Sequence, residues 1–168
     1  MADRRRVAAH RLSLIARPRL VLDTDAWLDL LVFGDAALDA LRDAIARQTV
    51  EIVVDPPAFD ELLRVLAYPA LALDPSRRED VADHVRRLAM MLGTSSPLAL
   101  PRCRDPDDQK FLALAANSGA AWLLTRDDAL LELAARFERD TRCRICTPAE
   151  WSPVRPGESG STAGTMCG

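Results

Sequence analysis

The sequence predicts an α/β protein, a three-layer α/β/α sandwich with a short, mainly parallel central sheet. Short apolar runs alternate with longer segments in which Leu, Val and Ala recur at helical spacing. Several of these runs end in an acidic residue that suits the start of a helix, as in Asp55-Pro56-Pro57. Regular alternation of buried strands and helices is typical of a parallel sheet covered on both faces.

The first half of the chain supplies two strand and helix pairs. Residues 20–22 predict a buried strand, and a helical pattern follows that is broken at Gly34 and continues to Arg47. Residues 51–54 predict the second strand. Asp55 then predicts the N-cap of the next helix, because proline suits a first helical turn.

The middle of the chain predicts one long helix and a link. Asp74-Pro75 marks the start of the helix, its apolar face reaches Leu92, and Gly93 ends it. Residues 98–100 fit either a short strand or an extended link.

The last part of the domain repeats the alternation. A helix begins at Asp105–Asp108 and Gly119 closes it. Residues 120–124 predict a strand, a short helix covers residues 128–136, and residues 144–146 predict an edge strand.

We expect three regions along the chain. Residues 1–18 form a flexible, arginine-rich extension, residues 19–151 form the folded domain, and residues 152–168 form a disordered tail rich in Pro, Gly, Ser and Thr.

Composition narrows the class of protein. A net charge of -3 argues against holding nucleic acid by bulk attraction, but not against cutting it. The four cysteines lack a clear zinc or redox context and predict reduced thiols. No apolar run approaches the ~18 residues of a membrane span, so we expect a cytoplasmic protein without a membrane partner.

Acidic residues follow the predicted strands. Asp23, Asp127 and the Asp105–Asp108 cluster lie at strand-to-helix junctions, and Glu61 lies one turn into a helix. Ends of parallel strands meet at one sheet edge, so these carboxylates should gather there. Crowded carboxylates repel one another unless a cation neutralises them, and their oxygens suit Mg²⁺ or Mn²⁺. That chemistry matches phosphodiester hydrolysis.

Each acid also has a purely structural explanation. Asp23, Asp105 and Asp127 could simply cap the helices that follow them, and Glu61 could lie on a solvated helix face. Singly these explanations are the simpler ones. The gathering at one sheet edge favours a functional site.

The residues around these acids resemble PIN-domain ribonucleases, in particular the branch of toxins of toxin–antitoxin systems. The resemblance runs in family order over residues 19–151. It rests on the segments Leu20-Val-Leu-Asp-Thr-Asp25, Glu61-Leu-Leu-Arg-Val-Leu66, Cys103-Arg-Asp-Pro-Asp-Asp-Gln-Lys-Phe-Leu112, Leu123-Leu-Thr-Arg-Asp127 and Thr147-Pro-Ala-Glu-Trp151. The third segment is the most specific of them.

The resemblance implies a PIN-like fold and endonucleolytic cleavage of RNA with Mg²⁺ or Mn²⁺. It further implies a small antitoxin partner and a homodimer. By position, it assigns metal binding and catalysis to Asp23, Glu61, Asp108 and Asp127, with Asp25, Asp105 and Thr125 in supporting roles.

Three positions depart from the family pattern and keep other interpretations open. Asp25 replaces the usual Asn, Arg126 the usual Gly, and Ala129 the usual Asp. The last two motivate a catalytically degenerate PIN fold that serves as a binding module. Asp23-Thr24-Asp25 also matches haloacid-dehalogenase-like phosphatases, in which Asp23 would be the nucleophile, although that family has Thr or Val where this chain has Trp27.

Overall fold

The computed structural model describes residues 17–94, 96 and 98–153. The predicted extension over residues 1–18 therefore lies outside the described residues except for its last two. The predicted tail over residues 152–168 does so beyond residue 153, and Cys167 lies there. The other three cysteines are buried and form no disulfide with one another: Cys103, Cys143 and Cys146.

Five parallel strands form one sheet in the order β3-β2-β1-β4-β5. They are β1 (Arg19–Leu22), β2 (Glu51–Val54), β3 (Ala89–Met91), β4 (Trp122–Leu124) and β5 (Arg144–Cys146). This all-parallel sheet with its covering helices confirms the predicted three-layer α/β/α class.

Helices connect the strands. The α-helices are α1 (Thr24–Leu28), α2 (Asp39–Ala46), α3 (Pro56–Leu66), α4 (Pro75–Leu88), α5 (Gln109–Ser118), α6 (Asp128–Leu131) and α7 (Ala134–Thr141). A π-helical turn covers Asp29–Phe33, and 3-10 turns cover Ala36–Leu38, Pro69–Leu71, Pro106–Asp108 and Pro148–Glu150. Gly34 ends the first helical stretch in the left-handed conformation, with φ of 64°, as predicted.

Strand β1 lies at the centre of the sheet. Leu20 is in register with Ile52 of β2 and with Trp122 of β4, and all three side chains are buried. Because β2 and β4 both run parallel to β1, the carboxyl ends of all three strands lie at the same edge of the sheet. That edge receives Asp23 from β1 and Thr125 from β4.

The third strand differs from the prediction. The helix expected to reach Leu92 ends at Leu88, and Ala89–Met91 pairs with Ile52–Val54 of β2. Residues 98–100 form no strand, so the extended link is the correct alternative. Alanine and methionine favour helices in isolation, and here pairing with β2 outweighs that preference.

The region after β4 is also divided differently. One helix was expected over residues 128–136, but α6 ends at Leu131 and α7 begins at Ala134. Helix α7 packs against β5 and buries Phe137 completely. A turn at Glu132 and Leu133 separates the two helices.

The segment after β5 is tied back to the sheet. Thr147 and Glu150 form a reciprocal capping box, in which the Glu150 carboxylate accepts from the Thr147 N–H at 3.0 Å. The rings of Trp151 and Trp122 meet edge to face, with centroids 5.8 Å apart. Residues up to 151 are therefore packed as part of the domain.

Candidate active site

Asp23 stands at the end of β1 with almost no exposure to solvent. Its N–H donates to the carbonyl of Leu124 at 3.1 Å, and its Oδ1 accepts from the N–H of Ala26 at 2.7 Å. The side chain therefore caps α1, as its structural explanation predicted. It also lies at the sheet edge where the functional interpretation placed it, 5% exposed.

Thr125 holds Asp23 from the neighbouring strand. Its Oγ1 accepts from the N–H of Asp127 at 2.9 Å, and its hydroxyl also hydrogen-bonds the Asp23 side chain. Thr125 is fully buried. Since the backbone amide of Asp127 occupies the oxygen, the hydroxyl proton is free to be donated to the Asp23 carboxylate.

Glu61 is fixed by two side chains that the sequence interpretation did not assign to it. Its Oε1 accepts from the Thr24 hydroxyl at 2.6 Å, and its Oε2 forms an ion pair with Lys110 Nζ. Lys110 also donates to the carbonyl of Asp107. Two signals were present in the sequence: Thr24 directly follows Asp23, and Lys110 is the one lysine of the chain.

Asp108 interacts electrostatically with most of the other charged groups of the site. Its Oδ2 is buried and has no hydrogen-bond partner among the residues that the structure describes. Burial raises the pKa of its carboxyl to about 6, and the charges of Asp127, Asp105 and Glu61 add to that effect. Lys110 opposes it by favouring the charged form.

The pKa of the Asp23 carboxyl is raised as well. This pKa is raised to about 7, mainly by burial and to a smaller extent by the charges of Asp25 and Asp108. Hydrogen bonds from Thr125 and Ala26 act in the opposite direction. Asp108 is thus electrostatically linked to each of the other three acids that the sequence singled out.

Asp127 and Asp105 stand on the open side of the site. Asp127 Oδ1 accepts from the N–H of Ala129 at 2.6 Å and caps α6, and Asp105 Oδ1 accepts from the N–H of Asp107 at 2.9 Å. Both residues are exposed. A cavity of about 390 Å³ opens between them, lined by Arg104, Asp105, Pro106, Asp127 and Ala129.

The three departures from the family pattern have distinct surroundings. Arg126 reaches across to the π-helical turn, where its Nη2 lies 3.2 Å from Asp29 Oδ2, and it also forms an ion pair with Asp35. Ala129 is buried and supplies the amide that Asp127 accepts from. Asp25 is exposed in the first turn of α1.

The donor chemistry of the site fits a hard divalent cation. Carboxylate oxygens are the ligands that Mg²⁺ and Mn²⁺ prefer, and positive charge would relieve the repulsion around the unpartnered Asp108 Oδ2. In the described part of the chain, however, no three acidic, histidine or cysteine side chains lie close enough together to hold one metal ion. Joint ligation by the four acids would require their side chains to move closer.

Comparison with protein families matches residues 19–129 to the PIN domain family. The match covers more than half of the chain, which therefore belongs to the PIN domain family. PIN domains are usually nucleases, and all four central acids fall within the matched range. No curated protein matches the chain. Within residues 17–94, 96 and 98–153, none of the helices combines the length and apolarity needed to cross a bilayer.

Family membership also bears on the phosphatase alternative. That alternative would assign Lys110 to a phosphate, whereas Lys110 is engaged by Glu61 and by the carbonyl of Asp107. It also leaves Glu61 and Asp108 without a role. The family match and the arrangement of these side chains favour a nuclease.

Proposed function

We propose that the protein is a metal-dependent endoribonuclease of the cytoplasm that hydrolyses RNA phosphodiester bonds with Mg²⁺ or Mn²⁺. The observation that carries the proposal is Asp108, a half-buried carboxylate whose Oδ2 is buried and has no hydrogen-bond partner among the described residues. The charges of Asp127, Asp105 and Glu61 surround it, and it is electrostatically coupled to Asp23. A bound cation would supply the missing partner of this oxygen and relieve the repulsion among the surrounding acids.

Asp23, Glu61, Asp108 and Asp127 are the residues that would hold the metal. When bound, the ion would supply a hydroxide nucleophile and neutralise charge on the phosphate. The chain's own contribution is orientation. Thr125 holds the Asp23 carboxylate by donating its hydroxyl proton, and Thr24 fixes one oxygen of Glu61 at 2.6 Å. Lys110 balances the negative charge beside Glu61 and Asp108.

Purified protein should cut RNA in the presence of Mg²⁺ or Mn²⁺ and not in EDTA. Asp108→Asn should abolish cleavage, because it removes the central charge and keeps the side-chain shape. Asp107→Asn is the matched control, since Asp107 is the adjacent, exposed acid. Cleavage that persists in Asp108→Asn or in EDTA would refute the proposal. Loss of cleavage in both variants would show that a general change in charge, and not Asp108, is responsible.

We further propose that the enzyme is the toxin of a toxin–antitoxin pair, that it binds a small antitoxin protein and that it forms a homodimer. Support comes from the resemblance to that branch of the family, an argument by analogy. Expression of the wild-type chain should arrest growth, and expression of Asp108→Asn should not. Co-expression of the small protein encoded next to the gene should restore growth. Light scattering will give the oligomeric state.

A catalytically degenerate PIN fold that serves as a protein-binding module is the alternative that the Arg126 and Ala129 departures motivate. It predicts that the wild-type chain cuts no RNA under any metal condition. The Asp108→Asn experiment distinguishes the two, because a binding module would lose no activity on that substitution.

A further inference from the structure

A second cavity adjoins the acidic site. It measures about 460 Å³, within the ordinary range of ligand sites, and is lined by Leu98, Leu100, Arg102, Cys103, Pro106 and Gln109. Pro106 also borders the cavity that contains Asp105 and Asp127. The two cavities are therefore neighbours that share Pro106 as a wall, and a chain bound over Asp105 and Asp127 would lie close to the second one.

The walls of this cavity combine apolar surface with one free positive charge. Leu98 is 50% exposed and lies with Leu100 and Pro106 along the apolar part. Arg102 is exposed and forms no ion pair within the described residues. By contrast, the neighbouring Arg104 is paired with Glu132 at 3.0 Å.

The inner wall is held in place by Gln109. Its Oε1 accepts from the N–H of Cys103 at 2.7 Å, and its Nε2 donates to the carbonyl of Pro101 at 3.2 Å. One side-chain amide thus fixes the backbone on both sides of Arg102. The cavity is consequently built by specific hydrogen bonds and is not a gap between loose side chains.

We infer that this cavity receives an unpaired nucleobase of the RNA, next to the phosphate at the acidic site, with Arg102 contacting the same nucleotide. The inference rests on the proposed function and adds to it the place where one nucleobase of the substrate binds. A base offers a flat face to apolar side chains and to a guanidinium plane, and its phosphate complements the positive charge. Bases within a duplex are stacked and paired, so they cannot enter such a site.

A segment of a partner protein is the other class of occupant that an apolar cavity could take. The position of Pro106 in the walls of both cavities favours RNA, because a nucleotide next to one bound at Asp105 and Asp127 would lie beside this wall. The free charge of Arg102 also favours a phosphate-bearing chain. RNA affinity that does not change when residues of the cavity wall are replaced would therefore overturn the inference.

The test uses the full chain carrying Asp108→Asn, so that RNA is bound without being cut. Four fluorescein-labelled single-stranded heptaribonucleotides, each composed of a single type of base, are titrated with the protein in Mg²⁺, and binding is followed by fluorescence anisotropy. Leu98→Ser and Arg102→Ala should each weaken binding about five- to tenfold. Arg102→Ala should also reduce the slope of log K against log salt by roughly 0.7, as expected for the loss of one phosphate contact on a single strand.

Arg87→Ala is the matched control, because Arg87 is an exposed arginine beside Val50 and Ile52, at the opposite end of the sheet. It should leave binding within twofold. An abasic nucleotide at one position should weaken binding by the parent protein and have no further effect in Leu98→Ser. Pairing the RNA with its complement should abolish the difference between the parent protein and Leu98→Ser.

Equal RNA affinity in Leu98→Ser, Arg102→Ala and Arg87→Ala would overturn the inference. Failure of the proposed function is separable from that outcome. If the wild-type chain cuts no RNA in Mg²⁺ or Mn²⁺ while Leu98→Ser still weakens binding, the nuclease proposal fails and the base site stands. If the wild-type chain cuts RNA and Leu98→Ser binds RNA as tightly as the parent protein, the base site fails and the nuclease proposal stands. Thermal unfolding followed by circular dichroism confirms that each variant is folded.

Discussion

Arg126 Nη2 lies 3.2 Å from Asp29 Oδ2 and joins the loop after β4 to the π-helical turn after α1. Both segments follow strands that deliver acids to the site, so the pair links its two sides. Burial raises the pKa of Asp29, and the charge of Arg126 opposes that shift. The residue that departs from the family glycine is therefore a structural counter-ion for a buried acid.

Replacement of Arg126 should destabilise the protein in a pH-dependent way. We expect Arg126→Ala to lower the free energy of unfolding by about 1 kcal/mol at pH 8, because Asp29 is left charged and buried without its partner. The loss should be smaller in acid, because the raised pKa of Asp29 lets its carboxyl take up a proton as the pH falls. Urea denaturation gives both values. In an Asp29→Asn background the loss should largely disappear, and an equal loss there would contradict the pairing.

The raised pKa of Asp23 predicts how stability changes with pH. A carboxyl with a pKa of 3.8 when unfolded and about 7 when folded binds more protons in the folded state between those values. Stability of the metal-free protein should therefore fall as pH rises from about 4 to about 7. Asp23→Asn should be more stable than wild type at pH 8 by roughly 2 to 4 kcal/mol, and equally stable below pH 4.

Asparagine can keep the cap on α1, so this gain should not be masked by a lost hydrogen bond. Chemical denaturation across the pH range is the measurement, with Asp107→Asn as the exposed control. Asp23→Asn should keep a smaller decline, because the pKa of Asp108 is also raised, to about 6. A wild-type profile that stays flat between pH 4 and 7, or an Asp23→Asn profile that declines as steeply as the wild type, would contradict the assignment.

Removal of the Lys110 charge should strengthen cation binding. Lys110 forms an ion pair with Glu61 and lowers the pKa of Asp108. We expect Lys110→Met to bind Mn²⁺ about fivefold more tightly at pH 8, since about 1 kcal/mol of repulsion is lost. Titration calorimetry measures the affinity, and Lys110→Arg should remain close to wild type. Weaker binding by Lys110→Met would mean that Lys110 is needed to orient Glu61.

Gln109 should contribute to stability through the backbone that it holds. Gln109→Ala leaves the N–H of Cys103 without its acceptor at 2.7 Å. We expect a loss of about 1–3 kcal/mol in the free energy of unfolding. Asn117→Ala is the control: its amide also bonds backbone carbonyls, those of Ser96 and Ala113, but in an exposed position, and its loss should be smaller. Equal losses would contradict a special role for Gln109.

The sequence was most informative where local chemistry and fold agree. Apolar runs ending in acids located β1 and the sheet edge that receives Asp23, because strand burial and helix capping are both local properties. The strand β3 escaped prediction, since Ala89–Met91 carries no strand-like pattern and pairs with one neighbour at the edge of the sheet. Its strand conformation depends on Ile52–Val54, far away in the chain.

The sequence did not predict which basic side chains form ion pairs with the acids. The ion pair between Lys110 and Glu61 joins α5 to α3, and the pair between Arg126 and Asp29 spans the two sides of the site. Neither follows from periodicity or from a motif. Such contacts are set by how the helices pack over the sheet.

The edge-to-face contact between Trp122 and Trp151 shows that the folded domain extends beyond the residues that match the family. The family match ends at residue 129, before β5 and the segment that carries Trp151. A chain shortened to the matched range would present the backbone of β4 as an unprotected hydrophobic edge, with Leu123 and Trp122 newly exposed to water. Such edges recruit other strands, so we expect the shortened protein to aggregate.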